Sequence, residues 1–215
     1  MSDGWIRADW PVLPGIVAGT TLRDSRYELP ATAQLLNQVH GTTVIHADSA
    51  LFDSGTPNAD AVIADNPGSI CVVRTADCLP ILFCARDGSE IGAAHAGWRG
   101  LAAGIAEKTV AAMRTPADEL IAWFGPAISQ AAFEVGDEVR AEFLAADAAA
   151  GDAFVRNDRG RWQADLYQLA AQRLRAAGVA DINGGGFCTY ADAERFYSYR
   201  RDGTSGRMLS FVYRP

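Results

Sequence analysis

Three side chains in this sequence stand at breaks between apolar runs and carry donors that a transition metal accepts. His40 lies in Asn37-Gln38-Val39-His40-Gly41, Cys78 in Ala76-Asp77-Cys78-Leu79-Pro80, and His95 in Gly92-Ala93-Ala94-His95-Ala96-Gly97. A polar side chain at the end of a buried strand is held rigidly yet faces a cleft. The small neighbours Gly41, Ala76, Ala94, Ala96 and Gly97 let a metal or substrate approach the backbone. Two imidazoles and a thiolate form a sound zinc set, and three protein ligands leave the fourth position open, as in a catalytic site. A dication with one thiolate stays net positive, so it can attract phosphate or lower the pKa of water. Spacing alone does not select zinc here, because the ligands are scattered, and a cysteine in an apolar run is usually a small core residue. That bland reading is kept for Cys71, Cys84 and Cys188; His46, the remaining histidine, reads as a surface or internally satisfied side chain.

The elements that must position these groups are short. Residues 70–74 and 81–85 read as buried strands, 91–94 as a third and 61–64 as a fourth, with turns at Asp65-Asn66-Pro67-Gly68 and Arg86-Asp87-Gly88-Ser89. Residues 34–45 read as extended, broken at His40-Gly41. Leu101, Ile105, Lys108, Ala112 and Met113 predict one helix over 101–113, and 136–147 a second. Residues 120–124 form a strand stopped by Gly125-Pro126. Residues 154–162 predict a polar hairpin turning at Asp158-Arg159-Gly160. Asp165 caps a helix over 166–177 that stops at Gly178. Asn183-Gly184-Gly185-Gly186 reads as a loop, 196–199 and 208–213 as strands, and the first thirty residues as irregular. The mixture predicts an α/β or α+β class, with residues 1–215 as a single domain.

Composition narrows the function classes. Of 215 residues, 49% are apolar and 21% charged, a globular rather than a disordered mix. The formal net charge of -7 disfavours non-specific nucleic-acid binding while leaving room for a locally positive phosphate site. No run approaches a membrane span, the first ten residues lack the apolar core of a signal peptide, and the four cysteines show no disulfide or zinc-finger spacing. The expectation is a cytoplasmic protein with free thiols.

The ordered blocks resemble a known family. Gln38-Val39-His40-Gly41, Thr75-Ala76-Asp77-Cys78-Leu79-Pro80 and Ala94-His95-Ala96-Gly97-Trp98-Arg99-Gly100 look like the signature blocks of the laccase-domain proteins, first described as multicopper polyphenol oxidases and also as peptidoglycan editing factors. Gly125-Pro126-Ala127-Ile128 with Phe133-Glu134-Val135-Gly136 fits the next block. Cys188-Thr189, Phe196-Tyr197-Ser198-Tyr199-Arg200-Arg201-Asp202 and Gly206-Arg207 fit the last. The resemblance implies a single α/β domain of layered sheets flanked by helices, and zinc on His40, Cys78 and His95. It implies phosphorolysis of adenosine, inosine, guanosine and methylthioadenosine, with adenosine deamination besides. Near the N-terminus, Gly19-Thr20-Thr21-Leu22-Arg23 keeps the arginine of the family's Thr-Arg-x-Gly-Gly-Val-Ser stretch, but Asp24-Ser25 replaces its glycines and much of the following segment is absent.

Phosphorolysis needs a held phosphate and a stabilised leaving purine. Arg23, Arg99 and the zinc are the cationic groups on offer, with Gln38 as a further substrate-binding residue; Arg99 sits in a turn that opens a helix, where free N–H groups favour anions. Deamination needs a carboxylate to shuttle a proton. Asp77 is nearest in sequence to a ligand and equally suits orienting a metal histidine, with Asp60 a similar, weaker candidate. Trp98, Phe133 and Tyr197 could stack on a purine. Three alternatives stand beside this reading. A copper oxidase is disfavoured because three histidines are few for multinuclear copper. A hydrolase of peptidoglycan precursors would use Cys78 as nucleophile and His95 as base. A non-enzymatic binding module is the third.

Overall fold

The computed structural model describes residues 4–12, 14–29, 33–203 and 206–215. Two short strands fall where an irregular segment is expected: β1 (Trp5–Arg7) and β2 (Val17–Thr21). Local propensity is weak there, and the ladder comes from long-range pairing instead. Gly19 is required because a Cβ would lie 2.0 Å from the Ile6 carbonyl oxygen and 2.6 Å from the Trp5 ring. The stretch around His40 stays irregular up to β3 (Val44–His46), apart from a bridge between Asn37 and Asn58.

β4 (Ala61–Ala64), β5 (Ile70–Thr75), β6 (Leu79–Ala85) and β7 (Ile91–Ala96) match the apolar runs, the last three reaching one or two residues further. The predicted helix over 101–113 is two helices, α1 (Trp98–Ala102) and α2 (Ile105–Ala112), broken at Gly104, whose φ of 95° is left-handed. β8 (Leu120–Phe124), β9 (Glu134–Val135), α3 (Asp137–Ala146) and the hairpin of β10 (Phe154–Arg156) with β11 (Trp162–Ala164) follow. Asp165 caps α4 (Leu166–Ala176) by accepting from the Gln168 N–H at 3.0 Å. The glycine-rich loop at 183–186 begins as a strand, β12 (Asp181–Gly184), parallel to β8. Residues 196–199, expected as a strand, form none: Phe196 is buried, and Ser198 caps the single turn α5 (Tyr199–Asp202). β13 (Met208–Tyr213) closes the chain.

The strands make a six-stranded sheet ordered β12-β8-β6-β7-β4-β3, a four-stranded sheet ordered β1-β2-β13-β5, and a small sheet ordered β10-β11-β9. Strand β6 explains the layering. All seven of its residues are buried; Leu79, Ile81, Phe83 and Ala85 pack with Leu101, Ile105, Leu169 and Leu174 of the helices. Leu82 and Cys84 face the other way, toward Cys71, Val73 and Val212 of the four-stranded sheet. A strand covered on both faces reads as a continuous apolar run rather than as alternation. The architecture is thus the mixed α/β class expected, with helices on one face of the central sheet and a second sheet on the other. Cys71, Cys78, Cys84 and Cys188 are free thiols. Among the described residues, no helix is long and apolar enough to cross a membrane.

Candidate metal centre and its cavity

The three donors converge at one end of the central sheet. Residue pairing sets Leu79 opposite Ala96 and Pro80 opposite His95, so the turn carrying Cys78 lies beside the end of β7. That turn is tight: Asp77 has a φ of 90°, and its carbonyl oxygen accepts from the Ile128 N–H at 2.9 Å. His40 comes from the irregular loop, with a φ of 59°. One ligand atom from each of His40, Cys78 and His95 lies within 4.8 Å of the others, and among the described residues theirs is the one such group. The two imidazoles stand edge to face, 4.7 Å between centroids.

A single buried carboxylate organises both histidines. Asp60, fully buried just before β4, accepts from the His40 N–H at 2.9 Å and the Gly41 N–H at 2.7 Å. Its Oδ1 also lies 2.8 Å from Nδ1 of His95, which leaves the other ring nitrogen for the cavity and Cys78. This is the carboxylate–histidine pairing that fixes the tautomer of a metal ligand. Burial alone would lift the Asp60 carboxyl, but the bonds from His95, Gly41 and His40 hold it below the usual carboxylate range. Burial pulls the His95 pKa down, and hydrogen bonds to Asp60 and Cys78 outweigh it, raising the value to about 9. His40 is lowered, first by burial and then by the charge of His95.

The backbone leaves room for an ion. A Cβ at Gly97 would stand 2.6 Å from His40 Nδ1 and 3.0 Å from Cys78 Sγ, so this glycine keeps a cradle open between two donors. Three soft or borderline donors, one orienting carboxylate and a cradle that Gly97 keeps free of a side chain fit a first-row metal ion.

Above the donors lies a cavity of about 790 Å³, lined also by Arg74, Thr75, Trp98, Arg99, Arg200 and Arg207. No carboxylate is among its described lining residues, so it is cationic within an acidic protein. The register of β13 on β5, with Met208 opposite Thr75, brings Arg207 beside the Cys78 turn.

The other sequence-selected residues distribute unevenly. Arg99 lines the cavity, its guanidinium 4.4 Å from the Trp98 ring. Gln38 lines it too, but both ends of its amide are bonded at 2.8 Å to the backbone of Arg74. Arg23 lies elsewhere, over the Tyr197 ring and 3.6 Å from Asp202. Asp77 does not line the cavity: its carboxylate accepts from Thr189 Oγ1 at 2.6 Å and the Arg200 N–H at 2.7 Å. The orienting role weighed for Asp77 therefore falls to Asp60. Trp98 borders the cavity, Phe133 is in the core, and Tyr197 bonds Asp24. His46 lies between Asp48 and Asp65. Arg74, Thr75, Tyr199, Arg200 and Arg207 escaped sequence reasoning as cavity residues. Their signal lay in the blocks themselves, which contain Thr75, Tyr199, Arg200 and Arg207, with Arg74 directly before one of them.

Fold and site together define a layered α/β protein with a His/Cys/His centre for a metal. The sequence profile of the family described as "Multi-copper polyphenol oxidoreductase laccase" matches residues 20–215. The chain belongs to that laccase-domain family. It is 54% identical over 179 residues to the purine nucleoside phosphorylase PA4543 of Pseudomonas aeruginosa, covering 83% of this chain and 72% of that one. It is 50% identical over 185 residues to the purine nucleoside phosphorylase YfiH of Escherichia coli, covering 86% and 75%. The crystal structure of Neisseria meningitidis protein NMB0706 superimposes with a TM-score of 0.91 at 39% identity, over 98% of each chain.

Proposed function

We propose that this chain, acting as one domain in a reducing cytoplasm, is a zinc-dependent purine nucleoside phosphorylase. The observation that carries the reading is the convergence of His40, Cys78 and His95 beneath an arginine-lined cavity free of described carboxylates. The names of the relatives at 50–54% identity point the same way. His40, Cys78 and His95 would hold zinc, which when bound supplies a Lewis acid and lowers the pKa of water. Arg74, Arg99, Arg200 and Arg207 bind phosphate beneath the sugar. Trp98 and Tyr199 offer the cavity's aromatic faces to the purine. Asp60 holds His95 in one orientation throughout. Adenosine, inosine, guanosine and methylthioadenosine are the proposed nucleosides, with adenosine deamination as a side activity of the same centre.

The test is a nucleoside panel incubated with and without phosphate and separated by chromatography. Free base and ribose 1-phosphate that appear only with phosphate support phosphorolysis; equal base release without phosphate means a hydrolase. Inosine formed from adenosine reports deamination.

One observation favours a second reading. Asp60, His95 and Cys78 form a hydrogen-bonded chain that also suits a cysteine nucleophile with a histidine base. That reading gives His40 no role. Rapid alkylation of Cys78 that zinc does not slow would favour it.

A further inference from the structure

Five buried polar side-chain atoms among the described residues lack a hydrogen-bond partner. Three of them, on Glu107, Gln163 and Gln172, belong to groups anchored through another polar atom, and the fourth, Nε of Arg140, belongs to a guanidinium seated 4.4 Å from the centroid of the Trp162 ring. Thr75 has no second polar atom. Its Oγ1 is unpartnered, the residue is 1% exposed, and it lines the cavity at the end of β5. An unpaired buried hydroxyl is costly, and native proteins rarely keep one without a use.

The cavity's own chemistry identifies the missing partner. Arg74, Arg99, Arg200 and Arg207 carry donors and no acceptor. The amide oxygen of Gln38 is taken by the Arg74 N–H, and no acceptor of the described residues, the side-chain oxygen of Asn37 included, lies within hydrogen-bond reach of the Thr75 hydroxyl. A hydroxyl seeking an acceptor in this cavity therefore needs one from a ligand. The ligand that also matches four guanidinium groups is a tetrahedral oxyanion with several acceptor oxygens.

We infer that the Thr75 hydroxyl donates a hydrogen bond to an oxygen of phosphate bound in the cavity. This deepens the phosphorolysis reading and rests on it for the identity of the anion.

The test is calorimetric titration of inorganic phosphate into the zinc-loaded wild type, Thr75→Val and Thr75→Ser. Valine keeps the shape and removes the hydroxyl, so phosphate binding should weaken about tenfold or more, the loss of a hydrogen bond to a charged group. Zinc content should be unchanged, and the thermal midpoint should equal or exceed wild type, since no internal partner is abandoned. Serine should bind within about threefold of wild type, because it keeps the donor. A structural hydroxyl would move the midpoint down instead. Wild-type affinity in Thr75→Val, a lowered midpoint in that variant, a serine variant as weak as valine, or no phosphate binding by the wild type would each overturn the inference. So would a Thr75→Val enzyme whose nucleoside KM rises while its phosphate KM does not. If phosphate binds in a Thr75-dependent way but no nucleoside is cleaved, the phosphorolysis reading fails and the phosphate contact stands.

Discussion

Glu90 and His95 lie at opposite ends of β7, both buried, and the chain answers their polar atoms in different ways. Glu90 accepts from the Arg114 and Thr115 N–H groups and from the Thr115 hydroxyl, all within 3.1 Å. The recess beside it, about 530 Å³, gathers no group of metal donors among its described residues. His95 is bonded on one side by Asp60 and faces Cys78, His40 and the cavity on the other. A buried group whose partners are backbone amides and a hydroxyl of a neighbouring turn serves the fold, whereas one whose second partner is itself a metal donor opening on a cavity is held ready for something else. Burial alone does not separate the two; the identity of the partners does.

The largest effect that would break this contrast comes from the metal end. Cys78→Ser and His40→Ala should each lose zinc and nucleoside turnover, by on the order of 100-fold or more, a scale that even changes behind the ligands reach. Metal analysis of purified protein and a turnover assay read this out. Full zinc occupancy in Cys78→Ser would overturn the ligand assignment. Gly97→Ala sharpens the same point without removing a donor. Its new methyl group would press on His40 and Cys78, so zinc affinity should fall roughly 10- to 100-fold in a protein that still folds.

At the other end, Glu90→Ala abandons two backbone N–H groups and should cost about 2–4 kcal/mol in denaturant unfolding, with zinc content and turnover per folded molecule unchanged. Lost zinc in that variant would dissolve the distinction between the two ends. The smallest effect is one of pH. In chelator-treated protein, the His95 pKa is raised from 6.5 to about 9, so its protonation stabilises the fold fully below pH 6.5. That contribution is lost as pH rises through about 9, amounting to a few kcal/mol at most. On the proposed reading zinc would compete for a nitrogen of the same ring, so the metal-loaded protein should show a flatter profile over that window. Equal slopes with and without metal would count against His95 as a ligand.

The central strands were legible because burial on both faces turns them into unbroken apolar runs bounded by turns. The helix expected over 101–113 was joined wrongly because its apolar spacing continues across Gly104, whose left-handed backbone breaks the hydrogen-bond ladder. β12 was missed because Gly184-Gly185-Gly186 hides a strand that exists by pairing with β8. Phe196 and Tyr197 suggested a strand by propensity, yet the burial of Phe196 and the Ser198 cap decide their conformation. At the site, the three donors were legible because each interrupts an apolar run. Asp60 was seen only weakly, since nothing local says that it reaches two histidines. Arg74, Arg200 and Arg207 were illegible as a set because the pairing of β5 with β13 and the seating of α5 bring them together.

The Asp77 carboxylate joins the turn of Cys78 to the Arg200 amide, 123 residues away in sequence. Arg200 itself is exposed, yet the bond shields its backbone proton from solvent. The rate at which that one proton swaps for deuterium therefore measures, from the surface, how often the turn lets go. A spectroscopist could follow the integrity of the turn that mounts Cys78 without touching the cavity or the thiol.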